Sequence, residues 1–148
     1  MYTLKYFFGD KEPLTDAYSI RAEVFIKEQN IPKEEEYDGT DGACVHIVAY
    51  YNDKPIATGR VMIDDEYTIG RVAVLPQYRG QKIGQGIMQA LIQASVIMGG
   101  ERQVIHAQIG ARGFYEKLGF TAFGEEFLEA GIKHIAMEHI GGVKCHAT

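Results

Sequence analysis

Residues 70–88 read GRVAVLPQYRGQKIGQGIM, and they decide the fold. An apolar run at 72–75 has the character of a strand and stops at Pro76. A basic, glycine-bearing turn follows, Arg79-Gly80-Gln81-Lys82-Ile83-Gly84, and a helical pattern starts almost at once. This order points backbone N–H groups, from about Gln81 to Gly86, outward at the start of a helix, where an anion is favoured. A charge-assisted hydrogen bond to a phosphate oxygen contributes roughly 1.5–3 kcal/mol. The helix dipole adds only about 0.3–1 kcal/mol, so the amides dominate. Two better-known phosphate patterns fail: no G-x-x-x-x-G-K-[ST] is present, and a dinucleotide fingerprint begun at Gly84 meets Gln89 where it needs glycine. The residues alone leave two readings, an anion cradle or an ordinary strand-to-helix turn with Arg79 and Lys82 in solvent.

Working outward, the helix runs to about residue 98, with Ile83, Ile87, Ala90, Leu91, Ala94 and Met98 on one face. Gln81, Gln85, Gln89 and Gln93 line a polar face, and Gly99-Gly100 ends it. Upstream, residues 2–8 predict a first strand. A helix follows from a Thr15 or Asp16 cap to about residue 30, with Ala17, Ile20 and Val24 on its apolar side. Residues 32–42, with Glu34, Glu35, Glu36, Asp38 and Asp41, predict a solvated loop. Strands at 44–51 and 54–63 join through Asn52-Asp53, which tolerate positive φ. The strand at 67–75 completes a meander. Downstream come a buried strand at 103–107, a short helix at 111–118, and a hairpin of strands at 121–127 and 133–139 turning at Ala130-Gly131. The expected class is α/β (α+β): a mixed central sheet of six to seven strands flanked by helices, and not a doubly wound one.

The chain has 148 residues, 46% of them hydrophobic, which suits one domain spanning residues 1–148. A net charge of -5 argues against nucleic acid as a partner and fits a cationic substrate. No apolar run approaches the roughly 20 residues of a membrane span, and the N-terminus has too short an apolar core for a signal peptide. Cys44 and Cys145 lack metal-ligand spacing and read as free thiols of a cytoplasmic protein, with no metal site expected.

The turn resembles the acetyl-coenzyme A signature R/Q-x-x-G-x-G/A of the GNAT superfamily of N-acetyltransferases. Lys82 stands where that pattern has glycine. Phe114-Tyr115-Glu116-Lys117-Leu118-Gly119-Phe120 resembles the same superfamily's F-Y-x-x-x-G-F element. Val24-Phe25-Ile26-Lys27-Glu28-Gln29 and Gly131-Ile132-Lys133-His134-Ile135-Ala136-Met137 resemble V-F-x-x-E-Q and G-I-x-H-x-x-M of its bacterial ElaA/YjcF-like branch. The resemblance implies about four helices flanking the sheet, and acetyl-CoA as co-substrate. Its pyrophosphate would lie on Arg79, Gly80, Gln81, Lys82, Ile83, Gly84, Gln85 and Gly86. Its pantetheine would lie along the backbone of Val72, Ala73 and Val74, beside Phe114 and Tyr115.

The resemblance also implies direct acetyl transfer to a primary amine of a small molecule or peptide, with homodimerisation left open. An alkylamine has a pKa near 10.4, so at pH 7 only about one in a thousand is nucleophilic. Recovering that fraction is worth roughly 4 kcal/mol, which a base can supply. Tyr115 is the expected acid for the leaving thiolate, and Glu28 or His134 the expected base; a structural role is open for each. His46 and His106 also lie in apolar strands, where hydrogen-bonded structural histidines are common. The alternative is a non-catalytic acyl-CoA-binding sensor, which would keep the loop and lose the acceptor chemistry.

Overall fold

The computed structural model describes residues 1–64 and 66–140, so Cys145 lies outside the described residues. The strands are β1 (Thr3–Phe8), β2 (Cys44–Tyr51), β3 (Lys54–Met62), β4 (Thr68–Val74), β5 (Arg102–Gln108), β6 (Thr121–Glu129) and β7 (Ile132–Ile140). They form one seven-stranded sheet in the order β1-β2-β3-β4-β5-β7-β6. The helices are α1 (Thr15–Arg21), α2 (Lys33–Glu36), α3 (Ile83–Ile97) and α4 (Arg112–Lys117). All neighbouring strands are antiparallel except β4 and β5. None of these helices is long and apolar enough to cross a membrane.

Successive side chains of a strand point to opposite faces, and the two hydrophobic clusters follow that rule. On β2, Ile47 and Ala49 join Ile87, Leu91 and Ala94 of α3, while Val48 joins Ala17 and Ile20 of α1. The sheet is therefore clasped between α3 and α1. Gly59 of β3 lies on the α3 face, where a Cβ would stand 2.7 Å from Leu91 Cδ1 and 2.8 Å from Ile87 Cγ2. Gly59→Ala is expected to destabilise the fold by about 1–3 kcal/mol through overpacking, read from urea unfolding. A melt unchanged by the substitution would mean that α3 is not seated on β3 as described.

Two features of β4 shape the site. Its pairing with β3 steps from Thr58↔Ala73 to Arg60↔Gly70, so Arg71 and Val72 together oppose Gly59 in a bulge. Arg71 takes φ 53° there. On its other edge, β4 pairs with β5 only at Thr68↔Val104 and Ile69↔Ile105. Beyond those rungs the two strands part, and the β5-facing backbone of residues 71–74 has no strand partner.

Two expectations are corrected, the cap of the first helix and the loop at 32–42; the helix itself runs about as far as expected. Thr15 is the first residue of α1 and gives no cap bond; Asp16 instead accepts from Tyr50 Oη at 2.6 Å. Past Arg21 the helix continues as a π-helix, Ala22–Glu28, and Asn30 closes it at φ 58°, a conformation asparagine tolerates. Residues 32–42 are not a solvated loop, since Glu36 is 2% and Asp41 6% exposed. Arg21 of α1 and Arg60 of β3 are buried beneath them and hold their carboxylates inside.

Candidate active site

The loop after β4 is built for a close backbone approach. Gly80 sits at φ 80° and Lys82 at φ 65°, ψ 18°, immediately before α3. The left-handed value explains why glycine is the residue of the pattern at position 82. Lysine adopts it at a cost of about 1–2 kcal/mol from its Cβ. The Gly86 N–H donates to the Lys82 carbonyl at 3.1 Å, the first bond of the helix. The Gly86 amide is therefore engaged, and the outward amides are those that precede it, with Ile83, Gly84 and Gln85 in the first turn of α3. A Cβ built on Gly84 would lie 3.6 Å from Val74 Cγ2 and 3.7 Å from Phe114 Cζ. A methyl there would make ordinary contact, whereas a branched side chain would crowd the space between the end of β4 and α4.

Arg79 donates Nε to the Val74 carbonyl at 2.9 Å and both terminal nitrogens to Glu28, at 2.8 and 2.7 Å. Glu28 is joined to the loop and does not reach the cavity described next. The Arg79 hydrogen bonds hold its carboxyl below the usual range, which weakens it as a base.

A cavity of about 690 Å³ occupies the fork between β4 and β5. Val72 of β4 and Tyr115 of α4 line it on one side, and His106, Glu129 and His134 on the side of β5, β6 and β7. Burial pushes the Tyr115 phenol up to about 12, so it is neutral and can donate. Its hydroxyl has no hydrogen-bond partner among the described residues. Its ring is fixed edge-on against Phe114 at 5.0 Å and Phe120 at 6.0 Å between centroids. His134 Nδ1–H donates to the Ile132 carbonyl at 2.7 Å, leaving Nε2 as an acceptor. His106 Nδ1 is 3.0 Å from Glu129 Oε1. Phe127 lies between the two imidazoles, edge-on to His106 and stacked on His134.

The opposite wall is an ion network that the sequence reading missed. Arg21 Nε donates to Glu36 at 2.7 Å and Nη1 to Asp41 at 2.8 Å; Arg60 donates to Asp41 at 2.7 Å and to Asp38 at 3.0 Å. Arg71, out of line in the bulge, reaches back to the carbonyls of Glu35 and Glu36. The network fixes α2 over the cavity. His46 belongs to it: its Nε2–H donates to the Asp41 carbonyl at 3.0 Å, and burial lowers its pKa. That makes it a structural histidine. Cys44 beside it is buried, with its thiol pushed up to about 11, and is inert as a nucleophile.

The parted β4–β5 pair and the glycine-bearing loop at the head of α3 are the arrangement that the family resemblance implied, and comparison with known proteins shows the family. The profile of the acetyltransferase (GNAT) domain matches residues 13–140. The uncharacterized N-acetyltransferase YjcF of Bacillus subtilis (strain 168) is 42% identical over 130 residues, 86% of this chain and 93% of that protein. ElaA of Escherichia coli (strain K12) is 34% identical over 125 residues, 80% of this chain and 81% of that protein. Its crystal structure superposes with a TM-score of 0.84, covering 94% of this chain and 99% of that one. The crystal structure of an acyl-CoA N-acyltransferase from Pseudomonas aeruginosa, 28% identical, superposes with a TM-score of 0.85 over 94% of this chain and 99% of that one. The chain belongs to the GNAT family of acetyltransferases.

Proposed function

We propose that this protein moves an acetyl group from acetyl-CoA directly to a primary amine of a small molecule or peptide, with both substrates bound together. The observation that carries the reading is the fork: unpaired β4 backbone, an open cavity and the unpartnered Tyr115 hydroxyl meet at one place. The chain's groups fit the co-substrate. The free amides of Ile83, Gly84 and Gln85, with the Lys82 ammonium, suit its pyrophosphate. Arg79, Gly80, Gln81 and Gly86 shape that loop, and Phe114 lies beside Gly84. The backbone of Val72, Ala73 and Val74 suits the pantetheine amides and the thioester carbonyl. Acetyl-CoA supplies an activated acyl group; the protein orients it, removes a proton from the amine and returns one to the sulfur. Tyr115 is the acid, and His134 contributes its free Nε2 to the acceptor side of the cavity. Glu28 serves through Arg79, holding the loop to the end of β4.

Initial rates measured over a grid of acetyl-CoA and amine concentrations test direct transfer. Intersecting double-reciprocal lines are expected; parallel lines would indicate a covalent acetyl-protein and contradict the reading. Gly84→Val places two methyl groups between Val74 and Phe114. It is expected to weaken acetyl-CoA binding about tenfold or more by calorimetry, because the amides can no longer be approached. Unchanged affinity would place the phosphate site elsewhere.

A further inference from the structure

We propose that His106 is the base that takes the proton from the acceptor ammonium, with Glu129 as its positioning residue. The proposal rests on the acetyl-transfer reading above. His106 is the first residue of β5 beyond the last rung it shares with β4, Ile69↔Ile105, so it stands where the two strands part. Ile105 and Ala107 belong to the core on the α3 face, which puts His106 on the opposite face, that of the α1 helix. Its imidazole is edge-on to Phe127 at 5.2 Å, which limits its rotation. The carboxylate of Glu129, reaching across from the end of β6, holds Nδ1–H at 3.0 Å. That contact fixes the tautomer and leaves Nε2 as the basic atom at the cavity wall.

The other histidines lack part of this arrangement. His46 is buried with Nε2 engaged by the Asp41 carbonyl. His139 is turned to Gln103 and Phe120, away from the cavity. His134 lines the cavity, but its Nδ1 partner is a neutral carbonyl. Of the carboxylates that line the cavity, Glu36 and Asp38 are neutralised by Arg21, Arg60 and Arg71, and Glu129, unlike Glu35, is held beside an imidazole. With His106 neutral, the His106–Glu129 pair carries one negative charge and attracts the ammonium. With His106 protonated, the pair is neutral and has no site for a proton.

The transfer balances. One ammonium proton passes to His106 Nε2 and from there to solvent. The nitrogen forms its bond to the thioester carbon and the carbon–sulfur bond breaks. The second proton leaves the nitrogen and reaches the sulfur through the Tyr115 hydroxyl. The products are an N-acetyl amine and free thiol.

The charged groups facing His106 are Glu129 from β6, Glu66 from the turn before β4, and His134 from β7 behind Phe127; Arg71 of β4 faces Glu129. The hydrogen bond that His106 donates to Glu129 leads in raising the His106 pKa. Activity therefore requires a pH above that raised value and falls as His106 protonates. The test follows thiol release against pH, using the fastest amine of a panel from n-butylamine to lysine and spermidine. Imidazole titration by nitrogen-15 NMR runs in parallel. Wild type is expected to lose kcat/KM on the acid side at the His106 titration point. Glu129→Gln should move both that limb and the NMR titration to lower pH by about one unit. His106→Asn should lower kcat about 100-fold and abolish the limb, with acetyl-CoA affinity retained. A limb that stays in place in Glu129→Gln, or a His106→Asn protein of normal turnover, overturns the assignment while leaving acetyl transfer intact. Absence of transfer by wild type to every amine overturns the acetyl-transfer reading itself, and the base assignment with it.

Discussion

Tyr115→Phe is expected to lower kcat by about 100-fold, or roughly 2.7 kcal/mol of barrier, while acetyl-CoA affinity stays within about threefold. The reason is where charge appears. The thioester sulfur carries little charge until the carbon–sulfur bond breaks, so a phenol beside it stabilises the transition state and not the bound ground state. Burial holds the phenol neutral, with its pKa near 12, and no described residue competes for its proton. Phenylalanine preserves the ring contacts with Phe114 and Phe120, so the fold should be unaffected. Steady-state kinetics and calorimetry on the same preparation separate the two quantities. Equal losses in affinity and turnover would make Tyr115 a binding residue; unchanged turnover would remove it from the mechanism.

Arg21→Met is expected to destabilise the protein by about 3–5 kcal/mol, lowering the melting temperature on the order of 10 °C. Arg21 is 1% exposed and divides its guanidinium between Glu36 and Asp41, with the rings of Tyr18 and Tyr37 at 5.1 and 5.4 Å. Methionine fills much of the volume and leaves both carboxylates short of a buried partner. Arg60 still serves Asp41 and Arg71 still serves Glu36, so the network should weaken without vanishing. Its pH dependence follows from Asp41. Burial opposes ionisation there, but Arg21 and Arg60 outweigh it and hold the folded-state pKa below the ordinary value. The stabilisation is present above the unfolded carboxylate pKa and is lost as pH falls through the folded one. The gap between the thermal melts of wild type and Arg21→Met should therefore hold near neutral pH and narrow once pH falls below the ordinary carboxylate value. A mutant melting within about 2 °C of wild type at pH 7 would mean the buried network contributes little.

The strands and helices were legible because most carry one clean signal. Apolar residues at helical spacing marked α3, and Asn52-Asp53 marked the β2–β3 turn, where both residues take positive φ. The turn between β4 and α3 was legible for the same reason, since its glycines and basic residues are contiguous. The buried network was not. Glu36 and Asp41 sit in an acidic run, and composition there points to solvent; what draws them inside is Arg21 and Arg60, distant in sequence. A signal existed: Arg21 falls four residues after Ala17 and four before Phe25, on the apolar stripe of α1, and Arg60 interrupts the apolar β3. A charge at a core position asks for a buried partner. Glu129 was illegible for another reason. It meets His106 only after β7 has inserted between β5 and β6, a pairing order that local sequence does not encode.

Direct acetyl transfer to an amine is the central claim, and product analysis tests it most directly. The protein is incubated with acetyl-CoA labelled with carbon-13 in the acetyl group and with the amine panel. N-acetyl product is quantified by mass spectrometry and free thiol by a chromogenic disulfide. The account predicts labelled N-acetyl amine and thiol in equal amounts for at least one primary amine, and none of that product from Tyr115→Phe at comparable rate. Tight acetyl-CoA binding with no labelled product from any amine would contradict it and favour an acyl-CoA sensor.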